Sequence, residues 1–186
     1  MPQTESKNFS CEGEGKRNAA AFCTCTDLQC PCHPSNHDQG CNLCILKNLR
    51  QKEIPSCFFH DIDCEKPTPD WHYADFAALV LAAQAKEQVN RISSHEKLLD
   101  MAEEILSREQ PQPEDAKLLR ESLSRLEAYY VSENWKQDFA ADEAGMLPEG
   151  MKRGVLSEDG VYDVLTRGRD VTDRMKEIVD ASEQRI

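Results

Sequence analysis

All nine cysteines of this chain lie between Cys11 and Cys64, and residues 65–186 contain none. This asymmetry predicts two parts that fold in different ways. A segment of about 60 residues buries too little apolar surface to fold on a hydrophobic core alone, and it usually needs disulfides or a metal ion. The first part is therefore predicted to be stabilised through its sulfur atoms, and the second part by an ordinary core.

Two features favour a metal over disulfides. Residues 1–10, MPQTESKNFS, lack the apolar stretch of a secretory signal, so the chain is expected to be cytoplasmic, where thiols stay reduced. An odd number of cysteines also fits poorly with a closed set of disulfides. We therefore interpret the dense cysteines as metal ligands.

The cysteines form several short motifs. Cys41-Asn-Leu-Cys44 is the C-x2-C arm typical of zinc sites, and Gly40 before it allows a tight turn. In Cys23-Thr-Cys25, a spacing of two positions points both thiols to the same side of an extended segment, which suits adjacent or shared metal ions. Cys11 stands apart and is left out of the site. The predicted metal ligands are Cys23, Cys25, Cys30, Cys32, His33, Cys41, Cys44 and Cys57.

The predicted cofactor is zinc, as one or two ions. The cysteine spacings that hold iron–sulfur clusters in ferredoxins are absent from the sequence. Ile45 follows the C-x2-C arm, where a haem attachment motif would have a histidine. The spacings therefore favour zinc over an iron–sulfur cluster.

The charge of the chain bears on its partners. The net charge is −12, and no cluster of basic residues is larger than Lys152-Arg153. Nucleic acids are bound through positive patches, so no nucleic-acid partner is expected. The most apolar run, FAALVLAA at 76–83, is shorter than the ~18 residues of a membrane span, so no membrane partner is expected either. The composition favours protein partners and specifies no oligomeric state.

The predicted fold class is mainly α, with a loop-rich cysteine and zinc knot followed by a small all-α helical bundle. After the proline-containing segment CEKPTPD, apolar residues recur at helical spacing in two stripes, which are Val89, Ile92, Leu99, Ala102 and Leu106, and then Leu119, Leu123, Leu126 and Tyr130. The predicted domains are a disordered tail (1–22), a cysteine-rich metal-binding domain (23–70) and a helical domain (71–186). The predicted helices are 71–108, 113–131, 133–144 capped by Ser132 and ended by Gly145, 158–166 capped by Ser157, and a last helix from Asp170 to about 183.

The cysteine-rich stretch resembles a known family. The residues CTCTDLQC, the following Gly40, Cys41 and Cys44, and the run EIPSCFF are similar to the small cysteine-rich bacterial domain called domain of unknown function 6485, over about residues 20–80. Where that family has a second cysteine and a histidine, this chain has Asn42 and Asn48. Since asparagine is a poor zinc ligand, we expect one metal site to be either lost or rebuilt, and we favour rebuilding. The side chains available for this are Cys32, His33, His60 and Cys64.

The helical part resembles a second family. The run SLSRLEAYYVSENWKQDFAADEAGMLPEGMKRGVLSEDGVYDVL at 122–165 is similar to the domain of unknown function 4298, and the resemblance extends over about 84–182. Gly160 stands where the family often has a better helix former. The resemblance implies no activity.

One helix of this part carries several acidic side chains. Trp135, Asp138 and Asp142 are spaced to share one helix face. The first interpretation is structural, with Lys152 or Arg153 folding back to pair with the two aspartates. The second interpretation is a divalent metal or acid–base site.

These observations favour a non-enzymatic adaptor, in which a structural zinc knot is joined to a helical interaction domain. Two alternatives stay open. The first is a thiol-dependent or metal-handling enzyme that uses Cys57 next to His60. The second is a carboxylate-based hydrolase at Asp138, Asp142 and Glu143.

Overall fold

The computed structural model describes residues 22–63, 70–109 and 112–183. The predicted tail therefore lies outside the described residues except for Phe22. The helices are α1 (Asn42–Gln51), α2 (Ser56–Ile62), α3 (Tyr73–Leu106), α4 (Pro113–Tyr130), α5 (Glu133–Glu143) and α6 (Glu158–Glu183), with short 3-10 helices at Pro34–Asn36 and Gly154–Leu156. The predicted fold class, mainly α with a loop-rich first part, is confirmed. Within the described ranges, no helix combines the length and the apolar character that crossing a bilayer requires.

The chain divides into two compact units, residues 1–85 and 86–186. This division falls inside α3, later than the boundary predicted after residue 70, because the start of α3 packs within the first unit. The fully buried Phe59 makes edge-to-face contacts with Trp71 at 5.1 Å and with Phe76 at 5.2 Å between ring centroids. Within the first unit, an isolated β-bridge between Glu53 and His72 also joins the segment after α1 to the segment before α3.

The first unit is more helical than predicted. We expected its cysteine-rich part to be mainly loop, but α1 and α2 lie in it. Gly40 adopts φ +59°, as the predicted tight turn requires, and α1 begins two residues later. Lys52 ends α1 in the left-handed conformation, and Pro55 precedes the first residue of α2. Proline is compatible with this position and would not be compatible with a helix interior. The prolines and glycine in this stretch therefore separate short helices, and sequence periodicity is weak over elements of this length.

The second unit has a continuous hydrophobic core. The helical stripes predicted on α3 and α4 lie in it, with Ile92, Leu99, Leu119 and Leu126 all buried. The start of α5 also agrees with prediction, since the Ser132 hydroxyl accepts a hydrogen bond from the Trp135 backbone N–H at 3.1 Å. The remaining core residues are Leu98, Ala102, Ile105, Leu123, Tyr129, Trp135, Ala141, Leu147, Val155, Leu156, Val161, Val164 and Leu165.

The last helix differs from the prediction. We expected one helix to end near residue 166 and another to begin at Asp170, but α6 is continuous from Glu158 to Glu183. Gly168 lies within it, where a Cβ atom would stand 2.5 Å from the Leu123 Cδ1 atom and 2.7 Å from its Cδ2 atom. The prediction was wrong because Asp170, taken as the cap of a new helix, lies inside α6. Gly168 permits close packing of α6 on α4.

The substitution Gly168→Ala should destabilise the second unit. Alanine is the better helix former by about 1 kcal/mol, yet its methyl group would overlap the buried Leu123 side chain. Overpacking of this kind costs about 1–3 kcal/mol, so the net effect should be a loss of stability in urea unfolding. The double variant G168A/L123A is the control, because the shorter side chain at position 123 removes the overlap. If G168A and L123A have strictly additive effects, the close approach does not explain the glycine.

Candidate metal centre

The first unit brings thiols from three segments close together. The structure describes seven cysteines, and all of them are thiols: Cys23, Cys25, Cys30, Cys32, Cys41, Cys44 and Cys57. The first four lie in the loop that precedes the first 3-10 helix. Cys41 is the N-cap residue of α1 and Cys44 lies in its first turn, while Cys57 lies in the first turn of α2. The chain folds locally into two short helices whose starts carry the C-x2-C arm and Cys57.

Four other cysteines influence the thiol of Cys44. Its pKa is raised to about 11, first by burial and then by the neighbouring thiols of Cys25, Cys57, Cys23 and Cys41. The pKa of Cys57 is also raised, by burial and by the thiols of Cys23 and Cys41. These five residues therefore interact as one group, which we call the thiol cluster.

A cleft with a volume of about 270 Å³ adjoins the thiol cluster. Cys25 and Cys44, which belong to the cluster, are also part of its lining. The two remaining described cysteines, Cys30 and Cys32, line the same cleft. All seven described thiols therefore belong to the cluster, to the cleft lining, or to both.

Two side chains of α1 donate hydrogen bonds to sulfur, and the sequence analysis identified neither as a donor. The Asn48 amide is buried, and its Nδ2 atom lies 3.6 Å from the Cys44 Sγ atom and 2.8 Å from the Cys44 carbonyl oxygen. Lys47 Nζ lies 3.7 Å from Cys30 Sγ. The i,i+4 spacing of Cys44 and Asn48 on a helix could have indicated the first contact, but the second depends on the tertiary fold. Asn42, the other departure from the family pattern, is exposed.

His33 lies next to the cluster, with 2% of its surface exposed. Its Nδ1 atom accepts a hydrogen bond from the Ser35 backbone N–H at 3.1 Å. Since a backbone N–H can only donate, a neutral ring must carry its proton on Nε2, and Nε2 lies 3.9 Å from Cys23 Sγ. This tautomer favours a hydrogen bond from His33 to the Cys23 sulfur over a bond from Nε2 to a metal ion.

The thiol cluster has the chemistry of a zinc site. Tetrahedral zinc is held by four thiolates at about 2.3 Å in many structural sites. In residues 22–63, 70–109 and 112–183, no group of three or more His, Cys, Asp or Glu side chains is arranged to hold a metal ion. The sulfur atoms are therefore of the type that zinc prefers, but the described residues do not arrange them as a coordination site.

The hydroxyl group of Thr24 supports this fit. Its Oγ1 atom is buried and has no hydrogen-bond partner within the part of the chain that the structure describes. Thr24 lies between two cysteines of the thiol cluster and lines the cleft. A thiolate is a hydrogen-bond acceptor, so deprotonated cysteines would supply the partner that this buried hydroxyl lacks.

The alternative of a thiol enzyme that uses Cys57 and His60 is not favoured by this geometry. A nucleophilic cysteine needs a lowered pKa, which a nearby positive charge or a helix N-terminus can supply. Burial and the neighbouring thiols instead raise the pKa of Cys57. The His60 ring lies edge-to-face with Trp71, with 6.4 Å between ring centroids.

The acidic residues of α5 have structural partners in the second unit. Asp138 is fully buried, and its carboxylate accepts two hydrogen bonds from Arg91, at 2.9 Å and 2.7 Å. Tyr129 donates to it at 2.7 Å and Gln88 at 2.9 Å. Four donors therefore occupy the two oxygen atoms of Asp138, so this carboxylate is already fully engaged in the fold.

Asp142 forms an ion pair with Arg153. The structural interpretation is therefore confirmed for this residue, while Asp138 takes Arg91 as its partner and not the predicted loop residues. The loop is held in place by the backbone of Val155, whose N–H donates to buried Glu96 at 2.7 Å and whose carbonyl accepts from Trp135 at 3.0 Å. These contacts favour a structural role for the acidic residues over a carboxylate-based hydrolase.

Comparison with known families gives a match in each half of the chain. Residues 17–85 match the family model described as Domain of unknown function (DUF6485), and residues 92–178 match the model described as Domain of unknown function (DUF4298). Comparison with curated proteins and with solved structures gave no match. The chain therefore combines a region matching DUF6485 with a following region matching DUF4298, as the sequence resemblances predicted.

Proposed function

We propose that the first unit binds structural zinc through the thiol cluster, and that the protein is a non-enzymatic interaction module. The observation that carries the proposal is that the loop before the first 3-10 helix and the starts of α1 and α2 all carry cysteines, four of which line one cleft. In a reducing compartment such a group is better suited to a metal than to disulfides.

The distribution of buried apolar residues explains why the first unit would need a metal. Among its described residues, the buried hydrophobic side chains are Cys23, Phe59 and Leu79. Ordering a residue costs about 1.5 kcal/mol, which three buried side chains cannot offset for a unit of this length. Since metal binding and folding are coupled in small zinc domains, zinc would supply the missing stability.

The exposed side chains support an interaction role. Ile45, Leu46 and Leu49 of α1 are between 42% and 61% exposed, and Phe58 of α2 is 53% exposed. Ile45 and Leu49 are one helical turn apart on α1, and exposed apolar side chains on one face are typical of surfaces that bind other proteins. We therefore assign the first unit a protein partner in preference to a small substrate.

Elemental analysis of the purified chain should show one to two zinc ions per chain and little iron. The variant Cys41→Ser should lose zinc, since it removes one thiolate of the cluster. Cys11→Ser is the matched control, because it makes the same chemical change at a cysteine excluded from the predicted site, and it should keep its zinc. Less than about half an equivalent of zinc in the wild-type protein, or a brown protein that contains iron, would contradict the proposal.

A further inference from the structure

The two sides of α1 differ in what they contact. Asn48 is buried, and its amide donates a hydrogen bond to the sulfur atom of Cys44, which lies one turn earlier on the same side. Ile45, Leu46 and Leu49 are exposed. Residues four positions apart share a helix face, so Ile45 lies beside Leu49, and Leu46 adjoins both. Helix α1 is therefore held by one side and presents three aliphatic side chains on the other, which we call the outward face.

The outward face has a basic border. Arg50 and Lys52 are exposed, and neither forms an ion pair with any residue that the structure describes. Arg50 follows Leu46 by four positions, so its guanidinium group lies at the edge of the aliphatic side chains. Residues 39–52 contain three basic residues and no acidic one, although the chain as a whole has a net charge of −12. The outward face is thus an apolar surface with a local positive charge.

We propose that the outward face of α1 binds an acidic amphipathic helix of a partner protein. This inference rests on the proposed interaction role and specifies the chemistry of the partner. Apolar residues of the partner helix cover Ile45, Leu46 and Leu49, and carboxylates along its edge pair with Arg50 and Lys52. Packing of apolar helix faces is a common mode of peptide recognition, and complementary charge at the rim selects among partners.

An anionic membrane also attracts basic and apolar residues, but the charge of the chain favours a protein partner. A bilayer presents a broad negative surface, which faces the whole protein and repels a chain of net charge −12. This repulsion is screened only beyond about 8 Å at physiological salt. A partner helix is small enough to contact α1 alone, so its carboxylates interact mainly with Arg50 and Lys52.

The test uses the full chain, purified with its metal, and a fluorescein-labelled synthetic helix with leucines on one face and glutamates on the other. A second probe has lysines in place of the glutamates, and fluorescence anisotropy measures the binding of each. We expect the wild type to bind the glutamate probe more tightly than the lysine probe. Leu49→Ser should weaken this binding about tenfold, because it truncates an apolar contact at the centre of the face. The variant R50Q/K52Q should lose most of the preference for the glutamate probe.

Leu81→Ser is the matched control. It makes the same chemical change in the first unit, at a leucine of α3 that is 65% exposed, compared with 61% for Leu49. It should bind the glutamate probe as the wild type does. Equal binding by the wild type and L49S, or equal binding of the two probes by the wild type, overturns the inference. If L49S fails to fold, R50Q/K52Q still tests the inference through the preference between the probes.

The remaining outcomes separate the partner from other occupants and from the zinc proposal. Binding to phosphatidylserine vesicles without binding to the glutamate probe overturns the inference in favour of a membrane surface. Dimerisation of the wild type that L49S abolishes, again without probe binding, overturns it in favour of a second copy of the chain. Zinc content is measured on the same samples. A wild type that contains zinc and binds neither probe overturns only the partner, and one that binds the glutamate probe without zinc overturns only the zinc proposal.

Discussion

Removing zinc with a strong chelator is expected to unfold the first unit and leave the second unit folded. The first unit has three buried hydrophobic residues among those described, whereas the second has a continuous core drawn from α3, α4, α5 and α6. The cysteines described in the structure all belong to the first unit. On the proposed function, metal ligation would stabilise the first unit, whereas apolar burial stabilises the second.

Three measurements on the full chain test this expectation. Far-UV circular dichroism should keep most of its helical signal after chelation, because α4, α5, α6 and most of α3 lie in the second unit. Residues 23–63 should become sensitive to protease, and their thiols should react with a titrating reagent. Residues 86–186 expressed alone should also fold. If chelation removed the helical signal together with the protection of the thiols, the two units would share one core and this account would be incorrect.

The substitution Asp138→Ala should be the most destabilising single change in the second unit. It would leave Arg91, Tyr129 and Gln88 without the carboxylate that they all contact. Removing one partner of a buried ion pair costs about 3–5 kcal/mol, and we expect the lower end because the Arg91 side chain is 21% exposed. Urea unfolding followed by circular dichroism measures the change.

Asp142→Ala is the matched control for this prediction. Asp142 lies one turn further along α5 and also pairs with an arginine, but the side chains of that pair are 31% and 34% exposed. Solvent-exposed ion pairs contribute about 0–1 kcal/mol, so the control should lose little stability. Equal losses of stability in the two variants would show that burial does not increase the contribution of the Asp138 ion pair.

The stability of the second unit should also depend on pH through Asp138. Burial raises the pKa of this carboxyl, but the hydrogen bonds from Arg91, Tyr129 and Gln88 lower it more, so its pKa in the folded state is below the usual value. A carboxyl with a lowered pKa adds stability above its unfolded pKa of about 3.9 and loses it as the pH falls toward the folded pKa. The variant D138N should lack this part of the acid dependence.

The sequence alone was sufficient where the determining interactions are local. The Ser132 cap, the left-handed Gly145 and the stripe that contains Ile92 and Leu99 all appear as predicted. Capping and helical periodicity depend on residues a few positions apart, so they can be identified without a fold. The sequence motifs likewise identified both families.

The tertiary structure decided what depends on residues far apart in the chain. The contact of Gly168 with Leu123 could not be predicted from local sequence, and Arg91 could not be chosen as the partner of Asp138 across 47 positions. Spacing likewise could not show that Cys44 lines the same cleft as Cys30 and Cys32. Packing brings such residues together, and packing depends on the whole chain, so these contacts follow from the fold and not from any local pattern.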